Sequence, residues 1–316
     1  MSDNFFIDGI EEELKALKWQ FKELDREFEL TINSVSVNLL KCDSEFSVKP
    51  NEWFIAKHQD GKIHEPGTIA VLSFLSKTIQ SQVMFYDVGA LFGYFSLIIK
   101  AMLPSSRILL VEGNPTSCAC IRKISPQLSK DEIANIVLGD QERNTNFLID
   151  GFNFIEGKNQ IRTARVRIWG KNIIKRFFNL FGKRYQIQRC YSAQIKQEIL
   201  PNVFREQEPR CVEIFKLDTE GNQCRFLPPF IDEFCSRKPI VLLEMDNSET
   251  MAKFGFTNDQ LLQLFLDRNY IAYWMNHRKP TEVKRIFQIT KAEDFNSLLL
   301  LLPQTKADEL PISNPT

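Results

Sequence analysis

Between Met84 and Ser96 an apolar run ends in an acid, Asp87, and two glycines, Gly89 and Gly93, precede the next apolar segment. That order reads as strand, tight turn, helix. Gly89 and Gly93 let the main chain approach a ligand closely, with the N–H groups of a starting helix facing it. The spacing Asp87-x-Gly89-x-x-x-Gly93 differs from the Gly-x-Gly-x-x-Gly dinucleotide fingerprint. A chain built around this turn folds as α/β, with a strand end opening on a binding site.

A second apolar strand, Arg107–Val111, ends in Glu112, 23 residues beyond Gly89, and Gly113-Asn114-Pro115 follows it. An acid at about 20 residues past a glycine turn is where nucleotide-type folds hold ribose hydroxyls. The two oxygens of a carboxylate match a diol. The alternative for Asp87 and Glu112 is a strand-end acid that caps the next helix.

Five pieces then stand in order: His64-Glu65-Pro66-Gly67-Thr68, the Asp87–Ser96 turn, Val111-Glu112-Gly113-Asn114-Pro115, Phe215-Lys216-Leu217-Asp218-Thr219-Glu220-Gly221 and Val241-Leu242-Leu243-Glu244. Together they resemble the FkbM family of S-adenosylmethionine (SAM)-dependent methyltransferases, over roughly Glu65 to Pro303, with a poor fit from about 141 to 205. Leu91 stands where the family usually has Asn, and Gly113 where it usually has Pro. The resemblance implies a Rossmann-like class I methyltransferase: a seven-stranded, mostly parallel sheet with its last strand antiparallel and helices on both faces. It implies O-methylation of a hydroxyl on a sugar, glycan or other natural product, with SAM as cofactor. Two rivals stand beside it: an N- or protein methyltransferase, and a catalytically inactive SAM-fold binding module at a membrane or in an assembly. Intact Asp87, Glu112 and Asp218 argue against the inactive module.

The resemblance also assigns roles. Asp87, Gly89 and Gly93 would hold the methionine and ribose region of the cofactor, Glu112 its ribose hydroxyls, and Glu65 would lie near its amino-acid end. Asp140 would accept from the adenine amino group, although Gly139-Asp140 is also an ordinary turn pair. Asp218 is the candidate for positioning the acceptor or taking its proton. Lys216, Asp218 and Glu220 share one side if the chain stays extended; otherwise Glu220 is a helix N-terminal acid favoured by the dipole. Glu244 faces the same cleft. An unassisted carboxylate is a weak base for an alcohol, which makes His277 and His64 candidate helpers, against the commoner structural role of a lone histidine. Asp218 with Asp246 and Asn247 would suit Mg²⁺, but a helix cap at 246–248 is the simpler reading, and no metal is assigned.

Composition narrows the rest. Lys+Arg and Asp+Glu both total 40, which gives no charge excess to draw nucleic acid, and no nucleic-acid-binding motif accompanies the basic residues. Seven cysteines form no C-x-x-C pair, and with three histidines no zinc site is expected. Reduced thiols point to the cytoplasm. Met1–Ile10 lacks the basic and apolar regions of a signal peptide, and no apolar run approaches the roughly 18 residues of a membrane span.

Residues 1–30 form the first unit. Ile10, Leu14, Leu17, Phe21, Leu24 and Phe28 predict an amphipathic helix over 8–29, docked on its own domain or pairing two chains in a homodimer. Residues 31–80 are a lead-in with strands at Val35–Leu40 and Trp53–Lys57 and a helix over Thr68–Ile79. The methyltransferase domain, 81–303, has strands at Val83–Val88, Ile108–Val111, Ala134–Leu138, Ile214–Leu217, Ile240–Leu243, Ile271–Trp274 and Leu298–Leu302. Residues 304–316 read as a loose tail. An insertion spans 141–205. From Lys158 to Arg189 it carries ten basic residues and no acid, around a helix predicted over Gly170–Phe181. That helix either caps the substrate cleft or rests on anionic membrane, peripheral to the inner face, near a lipid-linked acceptor.

Overall fold

The computed structural model describes residues 3–42, 49–125, 128, 133–150, 153–156, 158–180, 190–290, 293–294 and 297–304. The expected tail lies almost wholly outside these residues. So do Phe181, Lys183, Arg184 and Arg189 of the basic stretch.

The chain opens with helix α1 (Asp3–Ala16), strands β1 (Trp19–Glu23), β2 (Glu27–Ile32) and β3 (Val35–Leu40), and helices α2 (Pro50–His58) and α3 (Pro66–Thr78). Two expectations fail here. The helix predicted over 8–29 stops at Ala16, and β1, β2 and β3 form an antiparallel sheet. In Glu27–Ile32 the polar and apolar residues alternate, so Phe28, Leu30 and Ile32 bury as one strand face; Phe28 also fits a heptad by coincidence. No helical seam for a homodimer therefore runs through Phe21 and Phe28. The strand expected at Trp53–Lys57 is instead part of α2, started by Pro50 at its first position and stacked through Phe54 and His58 on the aromatic cluster around Phe28. The apolar side of α1 packs inside the molecule: Phe6 and Ile10 are buried, Phe5 and Phe6 meet Phe74, and Ser73 donates to Glu13 (2.7 Å).

The main body follows with β4 (Val83–Val88), α4 (Tyr94–Met102), β5 (Arg107–Val111), α5 (Pro115–Ile124), β6 (Ile133–Ala134) and β7 (Ile136–Gly139). The insertion supplies β8 (Arg143–Asp150), β9 (Asn153–Glu156), α6 (Lys158–Leu180) and β10 (Cys190–Ile199). Then come β11 (Val212–Leu217), α7 (Gln223–Phe226), α8 (Ile231–Ser236), β12 (Ile240–Met245), α9 (Ser248–Lys253), α10 (Asn258–Leu266), β13 (Tyr270–Asn276), β14 (Lys284–Ile286) and β15 (Ser297–Pro303).

One mixed sheet of eight strands has the order β14-β13-β15-β12-β11-β4-β5-β6. Seven strands were expected; the eighth, β14, is an edge strand antiparallel to β13. The last strand, β15, runs antiparallel between β12 and β13. The third expected strand splits. Ile133–Ala134 stays beside β5, whereas Ile136–Gly139 pairs with β10 in a second sheet, β7-β10-β8-β9.

Both faces of the main sheet are covered, so its inner strands are buried at every position and read as unbroken apolar runs. Alternate residues serve opposite layers. Phe85, Ile108, Ile214 and Leu242 pack with α1, α3, α4 and α5. Tyr86, Leu109, Phe215 and Leu243 pack with α7, α8 and α10. The ring of Tyr86 stacks on Phe215 (4.0 Å between centroids), and its hydroxyl donates to Glu213 (3.2 Å) while accepting from Arg205 N (3.0 Å). Arg237 completes this buried group by donating to Glu213 from Nε (3.0 Å) and from Nη2.

Glu213 is 2% exposed, so removing its cation leaves a buried charge unpaired. Arg237→Ala is expected to cost about 3 kcal/mol in urea unfolding, whereas an exposed pair such as Lys22–Glu29 should contribute under about 1 kcal/mol. Equal, small losses at both places would contradict the burial argument.

Candidate active site

The chain places β4 at the switch point of the sheet, with β5 on one side and β11 on the other. The C-terminal ends of β4, β5, β11 and β12 carry Asp87, Glu112, Asp218 and Glu244 in turn. The start of α3 and the loop after β13 bring Glu65 and His277 to the same rim.

Three glycines make this convergence possible. A Cβ on Gly89 (φ +84°) would lie 1.7 Å from the Asp218 carbonyl oxygen, so only glycine lets the β4 turn slide under the end of β11. Gly89 N also donates to Val111 O (2.9 Å), and Asp218 N to Val88 O (3.0 Å). Gly93 (φ +70°) caps the start of α4 where a Cβ would strike Leu110. Gly67 N donates to His277 O (2.9 Å), and a Cβ on Gly67 would come within 2.8 Å of His277 Cα. The segment His64–Thr68 is thereby pressed against the loop after β13.

A buried ammonium sits at the centre. Lys216 is 2% exposed; its Nζ lies 2.9 Å from Asp218 Oδ2 and 4.7 Å from the centre of the Phe95 ring. Burial alone would lower its pKa, but the charges of Asp218, Glu65, Asp87 and Glu244 outweigh burial and hold it up. Asp218 keeps 27% of its side chain open to solvent. Burial pushes its carboxyl up, yet Lys216 and a hydrogen bond with Glu244 win, and the net direction is down. Glu244 moves the other way, well above the usual carboxylate range, through burial and the charges of Asp218 and Glu65. The two shifts are opposed: Asp218 is the stronger acid of the pair and Glu244 the weaker.

Glu65 accepts from Thr68 Oγ1 (3.1 Å) and lies 3.1 Å from His64 Nε2. His277 Nε2 lies 3.6 Å from Glu244 and 3.9 Å from Glu65, and it accepts from Arg278 Nε (3.2 Å). Burial lowers the His277 pKa to about 4, so the ring is neutral, and its Nδ1 has no hydrogen-bond partner among the described residues. Glu65, Glu244 and His277 have the ligand types for a divalent ion. The Arg278 guanidinium, 3.5 Å from Glu244 through Nη2, already supplies the cation there, and Lys216 adds a second. Asn247, as the simpler reading of 246–248 expects, caps α9 by accepting from Thr250 N (2.9 Å), and Asp246 accepts from Gln223 Nε2 (3.0 Å).

On the neighbouring strands, Asp87 accepts from Ser96 Oγ (2.7 Å) with Oδ2, and its buried Oδ1 has no partner among the described residues. Glu112 accepts from Leu91 N (2.7 Å) and Asn114 N (2.6 Å). Burial carries the Glu112 pKa to about 7 against the pull of those two donors. Leu91 holds φ +52° to make its bond, a backbone that asparagine adopts more readily than leucine.

Of the residues expected at the site, Glu65, Asp87, Asp218, Glu244 and His277 join one network of contacts and charges with Lys216. Gly89, Gly93 and Glu112 form the adjoining turn. Glu220 is exposed on the rim: β11 ends at Leu217, and left-handed backbone at Glu220 and Gly221 turns the chain out of extension. Asp140 meets Gln197 (3.4 Å) and Arg225 (3.7 Å) on the insertion side, because β7 has left the main sheet. Arg278 carried no sequence signal beyond adjacency to His277. A separate groove of about 380 Å³ between β1 and α2, lined by Trp19, Phe21 and His58, shares none of these acids.

No family model matches the chain, and no curated protein matches it. Among solved structures, the chain is similar to a precorrin-6y C5,15-methyltransferase from Geobacter metallireducens GS-15, at 12% identity and a TM-score of 0.35, over 83% of this chain and 94% of that one. At that score the backbones diverge too far for the likeness to bear on activity.

Lys216→Met removes the cation that keeps Asp218 ionised. At neutral pH the variant should lose about 3 kcal/mol in urea unfolding. Asp218, depressed in the native state, contributes stability above its ordinary value of 3.8 and loses it as pH falls. The deficit should therefore narrow in acid. A variant as stable as the parent at neutral pH would show that the pair does not organise the rim.

Proposed function

We propose that the chain is a SAM-dependent methyltransferase acting on a hydroxyl of a sugar, glycan or other natural product, as the FkbM resemblance implies. The observation that carries the reading is the turn held between β4 and β5. Asp87 and Glu112 end adjacent strands at the switch point, Glu112 is oriented by two main-chain donors, and Asp87 keeps one buried oxygen without a partner among the described residues.

The residues present fit such a cofactor. A buried, unsatisfied carboxylate oxygen suits an ammonium or hydroxyl donor, and the carboxylates of the rim suit a sulfonium. Glu112, with two of its roughly four lone-pair directions taken by Leu91 N and Asn114 N, has acceptor capacity left for a ribose diol. Asp87 and Glu65 would face the amino-acid end. SAM supplies a methyl group already activated by positive sulfur.

The chain's own residues then orient the acceptor and take its proton. Asp218, held ionised by Lys216, accepts a hydrogen bond from the acceptor hydroxyl. With the bound cofactor supplying the methyl group, Asp218 would receive the proton that the acceptor hydroxyl gives up. Glu244, the weaker acid of the pair, hydrogen-bonds with Asp218 and would spread the charge. His277, neutral, accepts from Arg278 through Nε2 and from Gly67 N through its carbonyl, which fixes the rim, rather than serving as the first base.

Titration calorimetry with S-adenosylhomocysteine tests the cofactor part. Glu112→Ala should weaken binding by about 1–3 kcal/mol. Ribose donors favour the ionised carboxylate, so binding releases a proton when Glu112 starts protonated. Affinity should rise roughly tenfold from one pH unit below to one unit above the Glu112 pKa of about 7 and level off beyond. No binding by the folded parent protein, or affinity falling with pH, would remove the reading.

A further inference from the structure

We propose that the outward face of α6 docks on the surface of an anionic lipid bilayer. The helix has two apolar stripes. Ile161, Ala164 and Ile168, spaced by three and four residues, face the second sheet, where Ala164 and Ile168 are buried against Leu148. Val166, Trp169 and Ile173, again spaced by three and four, start five residues later and so lie nearly half a turn away. They are 63%, 68% and 45% exposed. A helix that covers a sheet is ordinarily most polar on that outer side.

Charge selects the occupant. No Asp or Glu occurs from Lys158 to Arg189. Arg162, Arg165, Arg167 and Lys171 are exposed on the described part of the helix, with Arg165 also donating to Ser192 (2.7 Å). An apolar stripe with an indole in it, set among guanidinium and ammonium groups, complements the boundary between anionic headgroups and acyl chains. Among the described residues no helix is long and apolar enough to cross a membrane, and α6 would lie on the surface. The sheet that carries it is fastened to the main body. Tyr191 donates to Asn114 beside Glu112 (2.8 Å), and Arg225 from α7 donates to Glu156 (3.0 Å). Docking through α6 would thus hold the Glu112 end of the sheet near the bilayer.

Co-sedimentation with phosphatidylcholine vesicles, with and without phosphatidylserine, tests the inference. The full chain should pellet only with the phosphatidylserine vesicles, and added salt should release it. Arg162→Gln with Arg165→Gln should weaken partitioning roughly thirtyfold, at about a factor of five per charge. Trp169→Glu should abolish it, while the unchanged melting temperature of each variant shows the fold intact. Absence of binding, equal binding to uncharged vesicles, or full binding by the Trp169→Glu protein would overturn the proposal. So would sedimentation velocity showing a dimer that Trp169→Glu dissolves, because the stripe would then belong to a second copy.

Discussion

A buried ammonium surrounded by carboxylates organises the rim of this molecule. Lys216 comes from the interior of a strand, where a hydrophobic side chain would be the ordinary occupant, and an uncompensated cation there would be strongly destabilising. Compensation comes from four separated segments: Asp218 beyond its own strand, Asp87 on β4, Glu244 on β12 and Glu65 at the start of α3. The need to satisfy one charge therefore ties the lead-in segment, the glycine turn and the later strands into one constellation. The same charge pulls the Asp218 carboxyl down, while burial and the charges of Asp218 and Glu65 push Glu244 up beside it. Two adjacent carboxyls with opposed shifts give the rim one stronger and one weaker acid.

The glycines give that constellation its shape. Gly89 and Gly67 each stand where main chain meets main chain too closely for a side chain, one under Asp218 and the other against His277. The first contact joins β4 to β11, and the second joins the helix that carries Glu65 to the loop that carries His277. Geometry at the strand ends thus depends on backbone approach as much as on charge.

Much of this was legible in the sequence, for identifiable reasons. The buried strands are covered on both faces and read as continuous apolar runs. The acids at their ends mark where burial stops. Alternation put Lys216 and Asp218 on one side, and they meet. Glu220 followed the same rule and failed, because left-handed backbone at Glu220 and Gly221 breaks the extension the rule assumes. The first thirty residues misled because Phe21 and Phe28 satisfy a heptad and a hairpin equally well over so short a span. The second sheet was not legible: β8, Arg143–Asp150, draws its order from pairing with β10, forty or more residues away in the chain. Arg278 was invisible for the same reason, since its importance lies in a contact with Glu244 that only the assembled loops create.

The central claim is that the turn between Asp87 and Gly93, together with Glu112, is where the cofactor sits. Amide hydrogen exchange with and without S-adenosylhomocysteine tests it residue by residue. Added protection is expected mainly at residues 87–96 and 112–117, with smaller changes at 216–219 and little at the β1–α2 groove. Protection appearing at Trp19–Glu23 and Ile55–Gly61 instead, or nowhere, would contradict it.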